Sequence, residues 1–165
     1  GYTGAATVTA ARSGTSVTHV DASKHSLDWA HENARLSNIP GDRIRWILDD
    51  ALAFARREAR RGAKYDGIIL DPPAFGRGAK GEVWKIEEDL PALLDSLKEI
   101  FSDTPGSFFL INGYAAGYAP RSFAQAVEST FAVPDVALAE SGELHIKETS
   151  SERVIPAGIY VRFVR

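Results

Sequence analysis

Residues 65–75, Tyr65-Asp66-Gly67-Ile68-Ile69-Leu70-Asp71-Pro72-Pro73-Ala74-Phe75, decide the architecture. The apolar run Ile68-Ile69-Leu70 has the length and branching of a buried strand, and it stops at an acid followed by two prolines that cannot donate to a ladder. Two segments of the same kind precede it: Ser16–Val20 ends at Asp21, and Ile44–Leu48 ends at Asp49-Asp50. Helical patterns separate them. Ala5–Ser13 is rich in small residues and closes at Gly14. A second helix has Ser23 as its cap, sets Leu27, Ala30, Ala34 and Leu36 inward, and stops at the Ser37–Gly41 breaker cluster. A third, Ala51–Arg61, has Leu52, Ala55 and Ala59 inward and Gly62 beyond its end.

Downstream the alternation continues with a helix over Glu87–Phe101, a strand over Ser107–Ile111 and a helix over Arg121–Phe131. Strands alternating with helices at this spacing predict a Rossmann-like, doubly wound α/β fold with a mostly parallel sheet, because each parallel pair needs a crossover of a dozen or more residues. Val136–Lys147 and Ile159–Val164 are strand-like with no helix between them, which predicts a C-terminal antiparallel hairpin at the sheet edge. Residues 1–165 are expected to form one domain. Gly1-Tyr2-Thr3-Gly4 reads as a glycine turn without the strand that normally leads into one, so the first strand is expected to be missing and the domain N-terminally incomplete.

Composition narrows the class. A chain of 165 residues with 44% hydrophobic and 25% charged side chains excludes fibrous and fully disordered readings. The net charge of -3 gives no chain-wide basic footprint, but Arg56–Lys85 carries eight basic residues against four acidic ones. The absence of cysteine removes disulfides, thiolate metal sites and a cysteine nucleophile. The four histidines have no ligand-like spacing and are read as surface or packing residues, so no metal site is expected. No apolar run approaches the ~20 residues of a membrane span, and the expectation is a soluble cytoplasmic protein with no membrane partner and an open oligomeric state.

Three acids at strand ends point to the chemistry. In an open α/β sheet, ligands bind beyond the carboxyl ends of the strands. Asp21, 17 residues after the glycine turn at Gly4, is placed to accept ribose hydroxyls, and Asp50 on the next strand is offered to an adenine amino group; together they describe an adenosine site. In Asp71-Pro72-Pro73-Ala74-Phe75 the prolines stiffen the loop, so the Asp71 carboxylate and nearby carbonyl groups become fixed acceptors for an N–H group. Phe75 offers a flat face for a planar base. In the glycine-rich stretch that follows, Arg77 and Lys80 are candidates for a phosphate backbone, while the arginines of 56–61 read as a solvated helix face. Tyr114 is a candidate for shaping the substrate opening.

The set G-Y-T-G, V-T-H-V-D-A-S, I-L-D-D and I-I-L-D-P-P-A-F, with a final hairpin, resembles the class I S-adenosylmethionine-dependent methyltransferases. Within them it is similar to the group with an aspartate-proline-proline-phenylalanine or tyrosine motif that includes large-subunit ribosomal RNA methyltransferases. The resemblance implies S-adenosylmethionine as cofactor and RNA, ribosomal RNA in particular, as substrate. By it, Tyr2, Thr3 and Gly4 line the methionine part of the cofactor, Asp21 holds the ribose, Asp50 and Ala51 the adenine, Ala22 is a further cofactor-binding residue, and Asp71 bridges cofactor and substrate. Asp71, Pro72, Pro73 and Phe75 form the catalytic motif. Cytosine-5 methylation in this family works through a cysteine that this chain lacks, so a base nitrogen is the expected acceptor. Two other readings stand beside this one: a dinucleotide-dependent oxidoreductase, which leaves the D-P-P-A-F motif unexplained, and a non-catalytic RNA- or cofactor-binding module.

Overall fold

A computed structural model describes residues 1–77, 83–114, 119–131 and 139–165. Gly1–Arg57 fall in one compact unit and Glu58–Gly76 with Val83–Arg165 in a second.

The first unit contains α1 (Ala5–Arg12), β1 (Val17–Asp21), α2 (Lys24–Leu36), β2 (Ile44–Leu48) and the start of α3 (Ala51–Arg60). β1 and β2 pair in parallel from Val17 opposite Ile44 to Asp21 opposite Leu48. The Ser23 side chain accepts from Ser26 N at 3.3 Å and starts α2. Leu27, Ala30 and Ala34 face inward as expected, but Leu36 is 63% exposed. The helix ends there. Asn38 turns with φ 55°, Ile39 N donates back to Ala34, and Ile39 takes the apolar place in the cluster of Ala11, Ala34 and Ile44.

The inward residues of α3 are Phe54, Ala55 and Glu58, whereas Leu52 and Ala59 are only half-buried, a one-position rotation from the expected face. An acid takes a core position because its carboxylate is satisfied: Glu58 accepts from the Tyr65 hydroxyl at 2.8 Å and from Arg61 at 3.0 Å. His19 is a packing residue, 2% exposed, sharing a 2.8 Å hydrogen bond between Nδ1 and the Thr7 hydroxyl and lying 5.0 Å from the Trp46 ring.

The second unit contains β3 (Gly67–Leu70), β4 (Phe75–Arg77), β5 (Val83–Lys85), α4 (Ile86–Ile100), β6 (Phe108–Gly113), α5 (Pro120–Phe131), β7 (Ala139–Lys147) and β8 (Val154–Val164). Its main sheet runs β3-β6-β8-β7: β3 and β6 are parallel, and β8 pairs antiparallel with β6 and β7, which is the expected closing hairpin. The expected first part of the hairpin, residues 136–138, lies outside the described residues. Phe101, Phe109, Phe131 and Phe163 pack with ring centroids 4.6–6.4 Å apart, beside the buried Ile111, Val127 and Val161.

Each unit carries its own part of the expected mostly parallel, doubly wound arrangement: β1-β2 in the first and β3-β6-β8-β7, with the antiparallel hairpin at its edge, in the second. A small ribbon of β4 and β5 flanks the glycine-rich stretch, of which residues 78–82 lie outside the described residues. Among the described residues no helix is long and apolar enough to cross a membrane.

Candidate functional site

In the first unit the glycine turn is built for close approach. Gly4 sits in the left-handed region at φ 84°, and a Cβ there would stand 2.9 Å from the Ala30 Cβ. A Cβ on Gly1 would lie 2.3 Å from the His19 ring. Gly4 N donates to the Gly1 carbonyl at 3.2 Å, and Asn33 Nδ2 donates to the Thr3 carbonyl at 2.9 Å, so the turn is held on both sides. Gly4 then caps α1 with no side-chain bond, leaving the helix start without a side-chain acceptor.

Asp21 ties this turn to β1 and α2. Its Oδ2 accepts from Gly1 N at 3.1 Å and Tyr2 N at 2.7 Å, while Oδ1 accepts from Ser23 N at 2.8 Å across Ala22. Burial alone would raise its pKa, but these N–H bonds and the amino group outweigh it and hold the carboxyl below its ordinary range. Three of the roughly four lone-pair positions of the carboxylate are thereby used, leaving room for one more donor. Asp50 caps α3, with Oδ1 accepting from Ala53 N at 2.8 Å, and Ala51 opens the helix. Asp49 links the two acids: its N–H donates to the Asp21 carbonyl at 3.1 Å, its Oδ1 accepts from Asp50 N at 2.9 Å, and its Oδ2 pairs with Arg57. The structure thus gathers Tyr2, Thr3, Gly4, Asp21, Ala22, Asp50 and Ala51 around the carboxyl ends of β1 and β2. A tight turn whose two glycines admit no Cβ, a helix start with no side-chain cap and an anchored acid suit the residues present to an adenosine-type cofactor.

In the second unit the parallel register sets the motif. Leu70 lies opposite Ile111, so the next residues, Asp71 and Asn112, stand side by side, and Asn112 Nδ2 donates to Asp71 Oδ1 at 2.8 Å. Protein packed around the Asp71 carboxyl pushes its pKa up although the residue keeps an exposed surface; the Asn112 bond pulls it back. Pro72 is buried. The Pro73 carbonyl accepts from Trp84 Nε1 at 2.7 Å and the Ala74 carbonyl from Ile86 N at 3.1 Å. Each of these two carbonyl groups is therefore engaged with one internal donor.

Phe75 opens β4 and is 57% exposed, so its ring is not part of the core. Tyr114, just past β6, is 74% exposed. Arg77 ends β4, and Lys80 lies outside the described residues. Asn112 and Trp84 were not singled out from the sequence. A polar residue at the end of a predicted strand was the available signal for Asn112; none marked Trp84.

No protein-family model matches the chain. It is 44% identical over 79 residues to a Methanocaldococcus jannaschii protein whose name proposes a ribosomal RNA large subunit methyltransferase, a match covering 48% of this chain and 20% of that protein. It is 45% identical over 75 residues to ribosomal RNA large subunit methyltransferase K/L of Syntrophotalea carbinolica, covering 45% of this chain and 10% of that one. The crystal structure of the S-adenosylmethionine-dependent methyltransferase from Agrobacterium tumefaciens superposes on 99% of this chain with a TM-score of 0.90 and 39% identity. The chain spans 53% of that protein. In fold and in sequence, the chain is related to the S-adenosylmethionine-dependent methyltransferases, and among them to proteins named as ribosomal RNA large subunit methyltransferases.

Proposed function

We propose that residues 1–165 form the catalytic domain of an S-adenosylmethionine-dependent methyltransferase that acts in the cytoplasm on a base nitrogen of RNA, ribosomal RNA foremost. The observation that carries this reading is Asp71: an acid at the carboxyl end of β3, anchored by Asn112 and followed four residues later by the open ring of Phe75. Its relatedness to the methyltransferases named above supports the same choice of chemistry.

In this reading Tyr2, Thr3 and Gly4 cradle the methionine end of the cofactor, Asp21 and Ala22 take the ribose, and Asp50 and Ala51 the adenine. When bound, S-adenosylmethionine supplies an electrophilic methyl group on a sulfonium. The chain contributes orientation and proton handling. Asp71 accepts the N–H of the target base, which frees the nitrogen lone pair and gives the departing proton an acceptor. Phe75 holds the base by stacking, Tyr114 borders it, and Arg77 and Lys80 meet the phosphate backbone. A ring carbon would need a covalent nucleophile first, and the chain has no cysteine to supply one.

The test is nucleoside mass spectrometry of RNA from cells lacking and then regaining the protein. One N-methylated nucleoside should vanish and return. Return of 5-methylcytidine instead would overturn the nitrogen assignment, and no nucleoside change would overturn RNA as the substrate. Calorimetric titration should show binding of S-adenosylmethionine and none of NAD; the reverse would favour an oxidoreductase.

A further inference from the structure

β3 and β6 are in register, with Leu70 opposite Ile111, and the chain places an acid and an amide one step beyond that pair. The two are 41 residues apart in sequence, yet their side chains meet at 2.8 Å. A carboxylate can only accept, so the group Asn112 turns toward it must be its NH₂. That single bond has two geometric effects. It fixes the rotation of the carboxylate about its own axis, and it occupies Oδ1 while leaving Oδ2 as the oxygen not bonded to Asn112. The backbone of Asn112 is paired with Tyr160 of β8 in the ladder, so the amide side chain stands on a rigid strand rather than on a loop. The following Asp71-Pro72-Pro73-Ala74 segment is pinned at its far end by Trp84 and Ile86, so Asn112 is the side chain that sets the near end.

We propose that Asn112 is a positioning residue of this site: by holding Oδ1 of Asp71 it aims Oδ2 at the substrate as a single, directed acceptor for an amino group. The inference rests on the methyltransferase reading and deepens it, because an acceptor fixed in one orientation selects a substrate that presents an N–H and disfavours one that presents a carbonyl oxygen at the same point. Asn112 itself touches neither reacting atom.

Four forms of the full-length protein test it: the wild type, Asn112→Ala, Asn112→Asp and Asn112→Gln. Because the substitutions leave the backbone ladder intact, thermal melts should stay close to wild type, and variants are compared only where they do. In Asn112→Ala, kcat should fall about 10- to 100-fold with the KM for S-adenosylmethionine within about twofold. The acid limb of the kcat profile should move to higher pH, and further in Asn112→Asp, where a second carboxylate faces the first. Asn112→Gln, which keeps the amide, should recover part of the rate. Wild-type kcat and an unmoved pH profile in Asn112→Ala would overturn the proposal. The titration of the Asp71 carboxyl carbon, followed by NMR without substrate, separates the two readings. A wild-type protein inactive on every RNA fails the function proposed above, whereas an Asp71 titration unchanged by Asn112→Ala fails the role given to Asn112.

Discussion

Trp84 donates its indole N–H to the carbonyl oxygen of Pro73 at 2.7 Å, clasping the proline loop to the short β4–β5 ribbon. Replacing it by Phe keeps the ring and deletes the donor. The cost in stability should be about 1 kcal/mol, the net value of one such bond. Turnover should fall about 5- to 10-fold, since the loop that carries the motif would loosen. Denaturant unfolding and steady-state rates of the variant check both numbers. An unaltered kcat would place the clasp outside the chemistry.

Asp21 accepts hydrogen bonds from the nitrogens of Gly1, Tyr2 and Ser23 and is the anchor proposed for the ribose. Asp21→Ala should weaken S-adenosylmethionine binding by about 1.5 to 3 kcal/mol in calorimetry, the range for a hydrogen bond to a charged group. The pH dependence has a definite sign. The folded pKa lies below the unfolded value of about 3.9, so the stabilisation is complete above about pH 4 and is lost as the pH falls through the folded value. The stability gap between wild type and Asp21→Asn should therefore narrow from pH 7 to pH 3. A gap that does not change with pH would mean that the carboxylate charge contributes nothing to the fold.

His19 acts in the same direction at higher pH. Burial, with positive charge nearby, lowers its pKa from 6.5 to about 4, so the folded protein holds it neutral while the unfolded chain binds a proton. Stability is then full above about pH 6.5 and falls as the pH drops from 6.5 toward 4. Between pH 7 and pH 5 the loss should be about 2 kcal/mol for this residue, and His19→Asn should lose much less over the same range. Urea titrations at the two pH values decide it. Equal slopes in both proteins would show that another group carries the dependence.

Phe75 is more than half exposed, so Phe75→Ala should change the melting temperature little. Its proposed stacking role predicts a loss of ~1 to 3 kcal/mol in RNA binding and a fall in turnover larger than any change in cofactor affinity. Arg77→Ala combined with Lys80→Ala should flatten the salt dependence of RNA binding instead, because phosphate contacts act through released counterions. Filter binding over a range of salt concentrations distinguishes the two effects. A Phe75 variant with wild-type turnover would remove the ring from the site.

Much of this arrangement was legible in the residues. Ile44–Leu48 could be bounded to the residue, because a β-branched run between Gly41 and Asp49-Asp50 leaves little choice. Asp21, Asp50 and Asp71 announced themselves by ending strands. What escaped depends on tertiary register. Asn112 matters only because β6 lies beside β3, and no local pattern ties residue 112 to residue 71. The inward face of α3 was misjudged because hydrophobic periodicity gives no place to Glu58, whose burial is made tolerable by Tyr65 and Arg61. Trp84 was invisible for the same reason: three-residue strands such as β4 and β5 carry too little alternation to be seen in sequence.

The hairpin has a further consequence for the behaviour of the protein at high concentration. Among the described residues β7 pairs only with β8, so its nine residues present an open row of amide and carbonyl groups, a template on which another strand could grow. The hazard is sharpened toward the tip by Ile146 and Ile155, cross-strand neighbours that are both more than half exposed. Against it the strand sets Glu140, Glu143, His145 and Lys147, and its register slips between Leu144 and His145. Charges and an irregular edge make stacking with a second copy costly. Neutralising Glu143 and Lys147 together would leave the fold intact and turn this rim into the place where aggregation begins.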